Sequence, residues 1–421
     1  MKILVIGSGA REHTLVWKLA QSPRTSEIYT APGNAGTALI ARNLPISADD
    51  IESLATAVRE NSVDLVVVGP EGPLAAGIVD RFQALGIPVF GPSKRATEIE
   101  SSKVFAKELM SRYGIPCGRS VTFSDSGEAR KYVEQQSPPV VIKADGLAAG
   151  KGVVVAESIP QALETLSDFM ESKKLGASGD RVIIEEHLTG REMSVFVFTD
   201  GEAVVPLAYA CDYKRVYDGD RGPNTGGMGS YTPPPFLTHG LADTVQESIM
   251  KPTVSALAQE GRPYQGVLYG GLMVTDEGLK VIEFNARMGD PEAQVVLPLL
   301  KTDLVDLILA VIEGRLDRMD VECHQVACIG VVMASGGYPG SYQTGFPITG
   351  LDDLDEDILV FHAGTKQGER PGEVLTSGGR VLTVVARGDT IARAREKVYA
   401  NISRIHFDGC HYRTDIALLE E

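Results

Sequence analysis

Short apolar segments alternate with amphipathic segments through the first 100 residues of the chain. The apolar segments are Lys2–Ile6, Glu27–Thr30, Leu65–Val68 and Pro88–Phe90, and helical patterns follow them. Parallel strands cannot be joined by a tight turn, so each pair needs a crossover connection, usually a helix. The alternation therefore predicts a parallel sheet covered by helices, with ligands at the carboxyl ends of its strands.

Two glycine-rich loops follow strands of this predicted sheet, GSGAREH at 7–13 and GPEGPL at 69–74. The first resembles G-x-G-x-x-G, but Glu12 takes the last position, where a dinucleotide site usually has a small residue. The loop is therefore a weak NAD fingerprint. Two interpretations stay open: one phosphate group bound at a helix N-terminus beside Arg11, or a tight turn that needs glycine only for its backbone angles.

A predicted hairpin later in the chain runs directly into a polar cluster. Gly266–Thr275 is apolar and β-prone, residues 276–278 are turn-like, and Leu279–Phe284 resumes the strand pattern. Alternate side chains on a strand share a face, so Glu283 and Asn285 are predicted to point the same way. Mg²⁺ takes few protein oxygens and keeps its other positions for water and phosphate. We therefore predict that this pair binds a divalent cation; the alternative is a solvated acidic hairpin.

A second predicted hairpin, residues 139–156, carries a glycine-rich loop. Val140–Lys143 and Val153–Val155 flank glycines at 146, 150 and 152, and such loops bring backbone N–H groups close to phosphate oxygens. The spacing and the strand that follows differ from a Walker A loop. Burial of an unpaired ammonium is costly, so Lys143 within an apolar strand calls for a phosphate partner. The pattern favours a flap over phosphates rather than a mobile tip with a solvated lysine.

The segment Asp180–Phe198 predicts a strand that ends in two carboxylates, Glu185 and Glu186, followed by a turn and a second strand that starts near Glu192. Such a strand end can edge an adenine pocket, with Glu192 accepting hydrogen bonds from ribose hydroxyls. Acidic residues at a surface strand end are the common alternative.

The polar, glycine-rich segment Asp212–Gly229 shows no periodicity. A structureless run of this length inside a domain is usually either a functional loop or a disordered one. Its mixture of acidic and basic residues favours a loop that covers a substrate.

Helical patterns cover Lys94–Tyr113, which contains Lys103, and Met288–Arg318. From Glu322 the chain is again rich in predicted strands, so we expect domains at 1–101, 102–321 and 322–421, with a flap subdomain at about 118–190.

Composition excludes some classes of function. The net charge of −16 argues against a nucleic-acid-binding protein, which would normally present a basic face. The five cysteines are scattered without a C-x-x-C pair, which fits reduced thiols rather than a disulfide framework. The N-terminus does not resemble a signal peptide, and no apolar run approaches ~18 residues. We expect a cytoplasmic protein without nucleic-acid or membrane partners.

The chain carries, in this order, GSGAREH (7–13), GPEGPL (69–74), KADGLAAGKGV (143–153), DYKRVYDGDRGPNTGGMG (212–229), EFNARMGDPEAQ (283–294) and ASGGYPGSY (334–342). Together these segments resemble the ATP-grasp superfamily, and in detail its glycinamide ribonucleotide synthetase (phosphoribosylamine–glycine ligase) family, over essentially the whole chain. The resemblance implies an α/β fold class: a Rossmann-like N-terminal domain, an ATP-grasp domain in two α+β lobes, and a small mixed, β-rich C-terminal domain.

The resemblance also implies roles for individual residues. ATP would be held by Lys103, Lys143, Gly146, Gly150, Lys151, Gly152, Glu185, Glu186, Leu188 and Glu192, and Mg²⁺ or Mn²⁺ by Glu283 and Asn285. Asp212 and Arg287 would act in catalysis by binding the ammonium and the carboxylate of glycine. The site for 5-phosphoribosylamine and glycine would comprise Gly9, Arg11, Glu12, Glu71, Gly72, Asp212, Lys214, Gly226, Gly227, Met228, Gly229 and Arg287.

The activity that the resemblance implies is an ATP-dependent joining of glycine to 5-phosphoribosylamine through a glycyl phosphate, by a monomer or a weak homodimer. Three alternatives remain. Another ATP-grasp enzyme, such as a carboxylase, would use bicarbonate. A dinucleotide-dependent oxidoreductase is disfavoured by Glu12, and a nucleotide sensor without turnover is disfavoured by the pair Glu283 and Asn285.

Overall fold

The computed structural model describes residues 1–147 and 152–418. The N-terminal strands are β1 (Lys2–Gly7), β2 (Glu27–Pro32), β3 (Arg42–Asn43), β4 (Leu65–Val68) and β5 (Val89–Phe90), and the helices between them are α1 (Ala10–Leu19), α2 (Ile51–Glu60), α3 (Glu71–Ala76) and α4 (Ile78–Ala84). The strands form one parallel sheet in the order β3-β2-β1-β4-β5. Ile3 pairs with Ile28 on one side and with Leu65 on the other, which confirms the predicted parallel sheet.

Two helices follow, α5 (Lys94–Ser101) and α6 (Lys103–Tyr113). The prediction of one continuous helix here was wrong, because Ser102 has extended backbone angles and its hydroxyl accepts a hydrogen bond from Phe105 N at 3.1 Å. A serine in this conformation caps the helix that it precedes. Lys103 therefore stands at the first position of α6 and not within a longer helix.

A four-stranded antiparallel sheet comes next in the chain. Its elements are β6 (Ser120–Phe123), α7 (Ser126–Val133), β7 (Val140–Ala144), β8 (Val153–Ala156), α8 (Ile159–Leu166) and β9 (Val182–Glu186). The strand order is β6-β9-β7-β8, and the apolar sides of α7 and α8 pack on the sheet in one small core. The pairing of β7 with β8 confirms the predicted hairpin at 139–156.

The remaining strands are β10 (Arg191–Asp200), β11 (Val204–Asp212), β12 (Arg215–Tyr217), β13 (Arg221–Asn224), β14 (Gly229–Thr232), β15 (Gln265–Thr275), β16 (Gly278–Asn285), β17 (Ala327–Ala334), β18 (Leu359–His362), β19 (Thr365–Gln367), β20 (Val374–Thr376) and β21 (Arg380–Gly388). Eight of them form one sheet in the order β16-β15-β10-β11-β14-β17-β21-β18. The C-terminal strands therefore extend the sheet that carries the predicted metal hairpin. The β12–β13 ribbon corrects the expectation of a structureless segment at 212–229.

The later helices are α9 (His239–Val245), α10 (Lys251–Gln259), α11 (Ala293–Val296), α12 (Leu304–Ile312) and α13 (Ile391–Ile402). The helical prediction for Met288–Arg318 was too long. A 3-10 turn at Leu297–Leu299 ends α11, and α12 starts only after Asp303, whose carboxylate accepts a hydrogen bond from Val305 N at 2.8 Å. This carboxylate caps α12.

Two expectations from composition can be compared with the structure. Cys117, Cys323, Cys328 and Cys410 are free thiols, as the scattered cysteine pattern predicted. Among residues 1–147 and 152–418, no helix is long and apolar enough to cross a membrane.

Candidate active site

The β15–β16 hairpin presents Glu283 and Asn285 at one end of the large sheet. Gly271 pairs with Glu283 while Leu272 pairs with Val281, so Ile282 forms a β-bulge. The side chains of Glu283 and Asn285 hydrogen bond to each other, which confirms that they share a face. The bulge leaves the Ile282 carbonyl outside the strand ladder, where it accepts a hydrogen bond from Lys143.

Three lysines surround the Glu283 carboxylate. Burial alone would raise the pKa of Glu283, but Lys214, Lys143 and Lys103 together lower it below its ordinary value. The carboxylate is therefore ionised at neutral pH, as a cation ligand must be. Lys103 and Lys143 come from different elements, α6 and β7, and the fold brings both to this hairpin.

The donor set at this point fits a hard divalent cation only if a ligand supplies further oxygens. Within the described residues, no group of three or more His, Cys, Asp or Glu side chains could hold a metal ion. Glu283 and Asn285 offer a carboxylate and an amide oxygen, and Mg²⁺ commonly binds with one or two protein oxygens while water and phosphate complete its shell. The pair is compatible with a metal held jointly with a phosphate ligand.

Lys143 lies on β7 and is 4% exposed. Its Nζ lies 3.1 Å from Glu185 Oε2 and donates to the Ile282 carbonyl at 3.1 Å. The sequence suggested a phosphate partner for Lys143, but within the chain its charge is matched by the Glu185 carboxylate at the end of β9, which was not predicted. Through this ion pair and the hydrogen bond to Ile282, Lys143 ties the small sheet to the bulge of the β15–β16 hairpin.

The sequence pattern did not single out Lys107, which the structure places in the same cluster. Lys107 Nζ lies 3.0 Å from Glu185 Oε2, so that one carboxylate oxygen is shared by two buried ammonium groups. Apart from its ion pair with Glu185 Oε2, Lys107 Nζ has no hydrogen-bond partner within the described part of the chain, and Glu185 Oε1 has none. Buried polar groups are nearly always hydrogen bonded. Lys107 Nζ is therefore a donor, and Glu185 Oε1 an acceptor, that could hydrogen bond to a ligand.

Lys103 contacts the start of the glycine-rich loop. Its Nζ donates to the carbonyl of Gly146 at 3.2 Å. The backbone of Gly146 has a φ of +126°, a conformation that favours glycine. Gly152 is buried at the other end of the loop, while Gly150 and Lys151 lie outside the described residues.

Glu186 follows Glu185 on β9 but points away from the lysine cluster. Burial raises its pKa, yet hydrogen bonds from the backbone and side chain of Arg119 and from Lys280 override that effect and lower the pKa to about 2. Its carboxylate is thus fully engaged by surface cations. Leu188 is half-buried two residues later, where a side chain at Gly118 would touch it.

A second pair of acidic residues lies beside the β15–β16 hairpin: Glu192 on β10 and Asp212 on β11. Lys214 forms an ion pair with Glu192 and lies 3.9 Å from Asp212 Oδ1. Burial raises the pKa of Asp212 to about 8; Lys214 opposes this shift, and the nearby carboxylates of Glu292, Glu192 and Glu283 add to it. Several acidic groups thus lie around one lysine, and such a cluster suits a cationic ligand.

Arg287 lies in an internal ion network rather than at an open surface. Its guanidinium is 3.1 Å from Glu71 and 3.0 Å from Glu100, and it donates to Asn285 Oδ1 at 3.4 Å. Burial alone would lower the pKa of Arg287, but Glu100 and Glu71 raise it above its usual range. The network joins the second N-terminal loop, through Glu71, to the end of the β15–β16 hairpin. Glu100 was not predicted, because within α5 it has the pattern of an ordinary helix residue.

Glu12 fills the space between the two N-terminal loops. Its carboxylate accepts a hydrogen bond from Gly9 N at 2.7 Å and from Arg11 Nε at 2.6 Å. A Cβ atom at Gly69 would lie 2.2 Å from Glu12 Oε1. The structure therefore favours the tight-turn interpretation at Gly9, since the chain's own carboxylate occupies that N–H. Gly72, in contrast, has open space on its Cβ side apart from Asp49 at 3.4 Å.

The substrate segment ends in a tightly held turn at 226–229. Gly227 has a φ of +114°, and a Cβ atom there would lie 2.3 Å from Pro291. Met228 is buried, and its N–H donates to the Tyr213 carbonyl at 2.7 Å. The turn therefore packs directly on Pro291, which follows the β15–β16 hairpin. Gly229 begins β14 and joins the turn to the large sheet.

Comparisons with known proteins agree with this architecture. The family models for phosphoribosylglycinamide synthetase match residues 1–100 (N domain), 101–293 (ATP-grasp (A) domain) and 328–419 (C domain). A phosphoribosylamine–glycine ligase from Halalkalibacterium halodurans is 52% identical over 99% of this chain and 96% of its own length. One from Escherichia coli O157:H7 is 48% identical over 99% of this chain and 98% of its own length.

Solved structures give the same result. A phosphoribosylamine–glycine ligase from Thermotoga maritima has a TM-score of 0.87 at 35% identity and covers 99% of this chain and 100% of its own. Biotin carboxylase from Campylobacter jejuni shares the fold at a TM-score of 0.76 and 15% identity, covering 98% of this chain and 92% of its own. These matches confirm the α/β fold class with an ATP-grasp domain and a strand-rich C-terminal domain. The chain belongs to the phosphoribosylglycinamide synthetase family.

Proposed function

We propose that this chain joins glycine to 5-phosphoribosylamine at the expense of ATP, through a glycyl phosphate intermediate, in purine biosynthesis. The observation that carries the proposal is the convergence of Lys103 and Lys143 on the hairpin end that bears Glu283 and Asn285. Cations, backbone amides and a metal pair are the groups that phosphoryl transfer requires, because catalysis there rests on positioning and charge neutralisation.

A carboxylate is a poor electrophile at neutral pH, so one glycine oxygen first attacks the γ-phosphorus of ATP. The bond between that phosphorus and the β,γ-bridging oxygen breaks, and ADP leaves with the electron pair. The amine of 5-phosphoribosylamine then attacks the glycyl carbonyl carbon, inorganic phosphate departs, and the nitrogen loses a proton. Lys103 and Lys143 neutralise the phosphates during the first step.

Glu283 and Asn285 would hold the divalent cation, Mg²⁺ or Mn²⁺. Such an ion, when bound, screens the negative charge that gathers on the transferring phosphoryl group. The ionised state of Glu283 supports this role, because the three lysines already keep its carboxylate charged.

Lys107 and Glu185 form the base-reading part of the nucleotide site. Adenine presents an acceptor at N7 beside a donor at N6, whereas guanine presents two acceptors there. The ammonium of Lys107, as a donor, and the Glu185 Oε1 atom, as an acceptor, complement adenine and disfavour guanine. The backbone near Glu186 and Leu188 edges the same pocket, and Glu192 accepts from the ribose.

Glycine binds between the acidic group and the arginine of the metal hairpin. Asp212 receives its ammonium, whose positive charge would offset the effect of burial on this carboxyl group. Arg287 receives its carboxylate, which then takes the place of one of the two glutamates beside the guanidinium.

The amine substrate, 5-phosphoribosylamine, lies along the glycine-rich turns, with Gly72 and Gly226–Gly229 as its contacts together with Arg11 and Lys214. We further propose that the protein acts in the cytoplasm as a monomer or a weak homodimer, which the elution volume on size-exclusion chromatography would test.

One experiment tests the proposal as a whole: ADP and phosphate release are followed with ATP and glycine, with and without freshly prepared 5-phosphoribosylamine. The expected result is turnover that requires both acceptor substrates, with one ADP formed per amide. Turnover with bicarbonate in place of glycine would instead indicate a carboxylase. ATP binding without ADP formation under any of these conditions would indicate a nucleotide sensor.

A further inference from the structure

Residues from the C-terminal part of the chain hold the substrate turn from outside. Arg380, the first residue of β21, and Tyr338, in the loop after β17, both reach the peptide groups of Gly226. The sequence pattern assigned no role to either residue. They lie more than a hundred positions from the turn, and only the pairing of β14 with β17 brings them close.

The two peptide groups of Gly226 are held from opposite sides. Its N–H donates to the Tyr338 hydroxyl at 3.0 Å, and its carbonyl accepts from Arg380 Nη1 at 2.8 Å. A Cβ atom at Gly226 would lie 3.1 Å from the Arg380 guanidinium carbon, so the guanidinium also packs against the turn. Gly226 is thus fixed by one donor and one acceptor that belong to the same C-terminal unit.

The same guanidinium holds the loop that follows the metal hairpin. Arg380 Nη1 donates to the Asp290 carbonyl at 2.9 Å, and Nη2 lies 3.1 Å from Asp290 Oδ2. The other oxygen of that carboxylate accepts from Gln294 at 2.7 Å. A Cβ atom at Gly9 would lie 3.5 Å from Asp290 Oδ2, so the first N-terminal loop also meets this point. One arginine therefore connects two loops that flank the site.

We propose that Arg380 and Tyr338 are positioning residues for the amine substrate, because they fix the turn at Gly226–Gly229 against Asp290. The inference rests on the proposed function, in which that turn contacts 5-phosphoribosylamine. Neither residue touches the nucleotide cluster at Glu185. Replacement of either residue should therefore weaken binding of the amine substrate and leave the nucleotide and glycine sites intact.

Steady-state kinetics with each substrate varied in turn test the proposal. Arg380→Met is expected to raise KM for 5-phosphoribosylamine by about tenfold or more, with KM for ATP and glycine within about twofold of wild type. Arg380→Lys is expected to recover part of this loss, since an ammonium can keep one of the contacts. Tyr338→Phe, which removes a single hydroxyl, is expected to give a smaller change in the same direction.

Arg387→Met is the matched control, because Arg387 is an exposed arginine on the same strand. An unchanged KM for 5-phosphoribosylamine in Arg380→Met, or an equal rise of all three KM values, would overturn the proposal. If Arg380→Met does not fold, Tyr338→Phe decides between the same outcomes.

A physical readout separates this inference from the proposed function. Trypsin cleavage at Arg221, exposed on β13, should be faster in Arg380→Met than in wild type or in Arg387→Met. If the wild type shows no ligation but Arg380→Met is still cleaved faster, the positioning role stands and the proposed function fails. Equal cleavage rates would overturn the positioning role whatever the activity.

Discussion

Replacement of Lys107 by methionine tests the assignment of the nucleotide base. Lys107 Nζ and Lys143 Nζ lie 3.0 and 3.1 Å from the same oxygen of Glu185, so the cluster holds two positive charges and one negative charge. Lys107→Met leaves a neutral Lys143–Glu185 pair, and methionine fills a similar volume. The fold should therefore survive, while the base loses one charged hydrogen-bond donor.

The size of the effect follows from that one interaction. A hydrogen bond to a charged group contributes about 1.5–3 kcal/mol, which corresponds to about 10- to 150-fold weaker binding. Isothermal titration calorimetry with ADP and GDP should show this loss for ADP in Lys107→Met. Lys131→Met, an exposed lysine on α7, should bind as wild type does. ADP binding within twofold of wild type at an unchanged melting temperature would refute the assignment of Lys107 to the base.

Three further predictions concern the metal pair, the N-terminal loops and pH. Glu283→Gln should abolish ligation without changing the circular dichroism spectrum, because it removes a charged ligand; near-wild-type turnover would remove the metal assignment. Gly69→Ala should lower the free energy of unfolding by about 1–3 kcal/mol in urea titrations, since the new methyl group overlaps Glu12, while Gly240→Ala, with open space around it, should not. Burial lowers the pKa of His13 from 6.5 to about 3, so the unfolded chain binds more protons between those values. Its contribution to stability is therefore complete above pH 6.5 and lost as pH falls toward 3; His13→Asn should flatten the dependence of melting temperature on pH in that range, and an unchanged slope would exclude this histidine as its source.

Local patterns in the sequence were sufficient to predict that Glu283 and Asn285 share one face of the β15–β16 hairpin. Glu283 and Asn285 are two residues apart on a strand, and the period of a strand places them on one face whatever the rest of the fold does. The β-bulge at Ile282 was not predicted, although Gly270 and Gly271 on the partner strand lie at the register shift and glycine within a strand often marks a bulge. It is nevertheless the feature that supplies a carbonyl to Lys143.

Residues that act through distant contacts could not be found in the same way. Lys107 has the pattern of a solvated helix lysine, and its burial depends on β9, which comes about 75 residues later and brings Glu185. Arg380 depends on the pairing of β14 with β17. Glu12 was correctly seen as unusual in a glycine loop. Its hydrogen bond from Gly9 N is a local contact at the start of α1, whereas its contact with Gly69 in the second loop follows only from the assembled sheet.

The union of β14 and β17 in one sheet also limits how the gene can be divided. A shortened chain that stops near residue 321 would lack β17, so β14 would become an edge strand with unpaired backbone N–H and C=O groups. Separate copies of the chain could pair along such an edge. Such a fragment should precipitate or form aggregates even though every nucleotide-binding residue is still encoded.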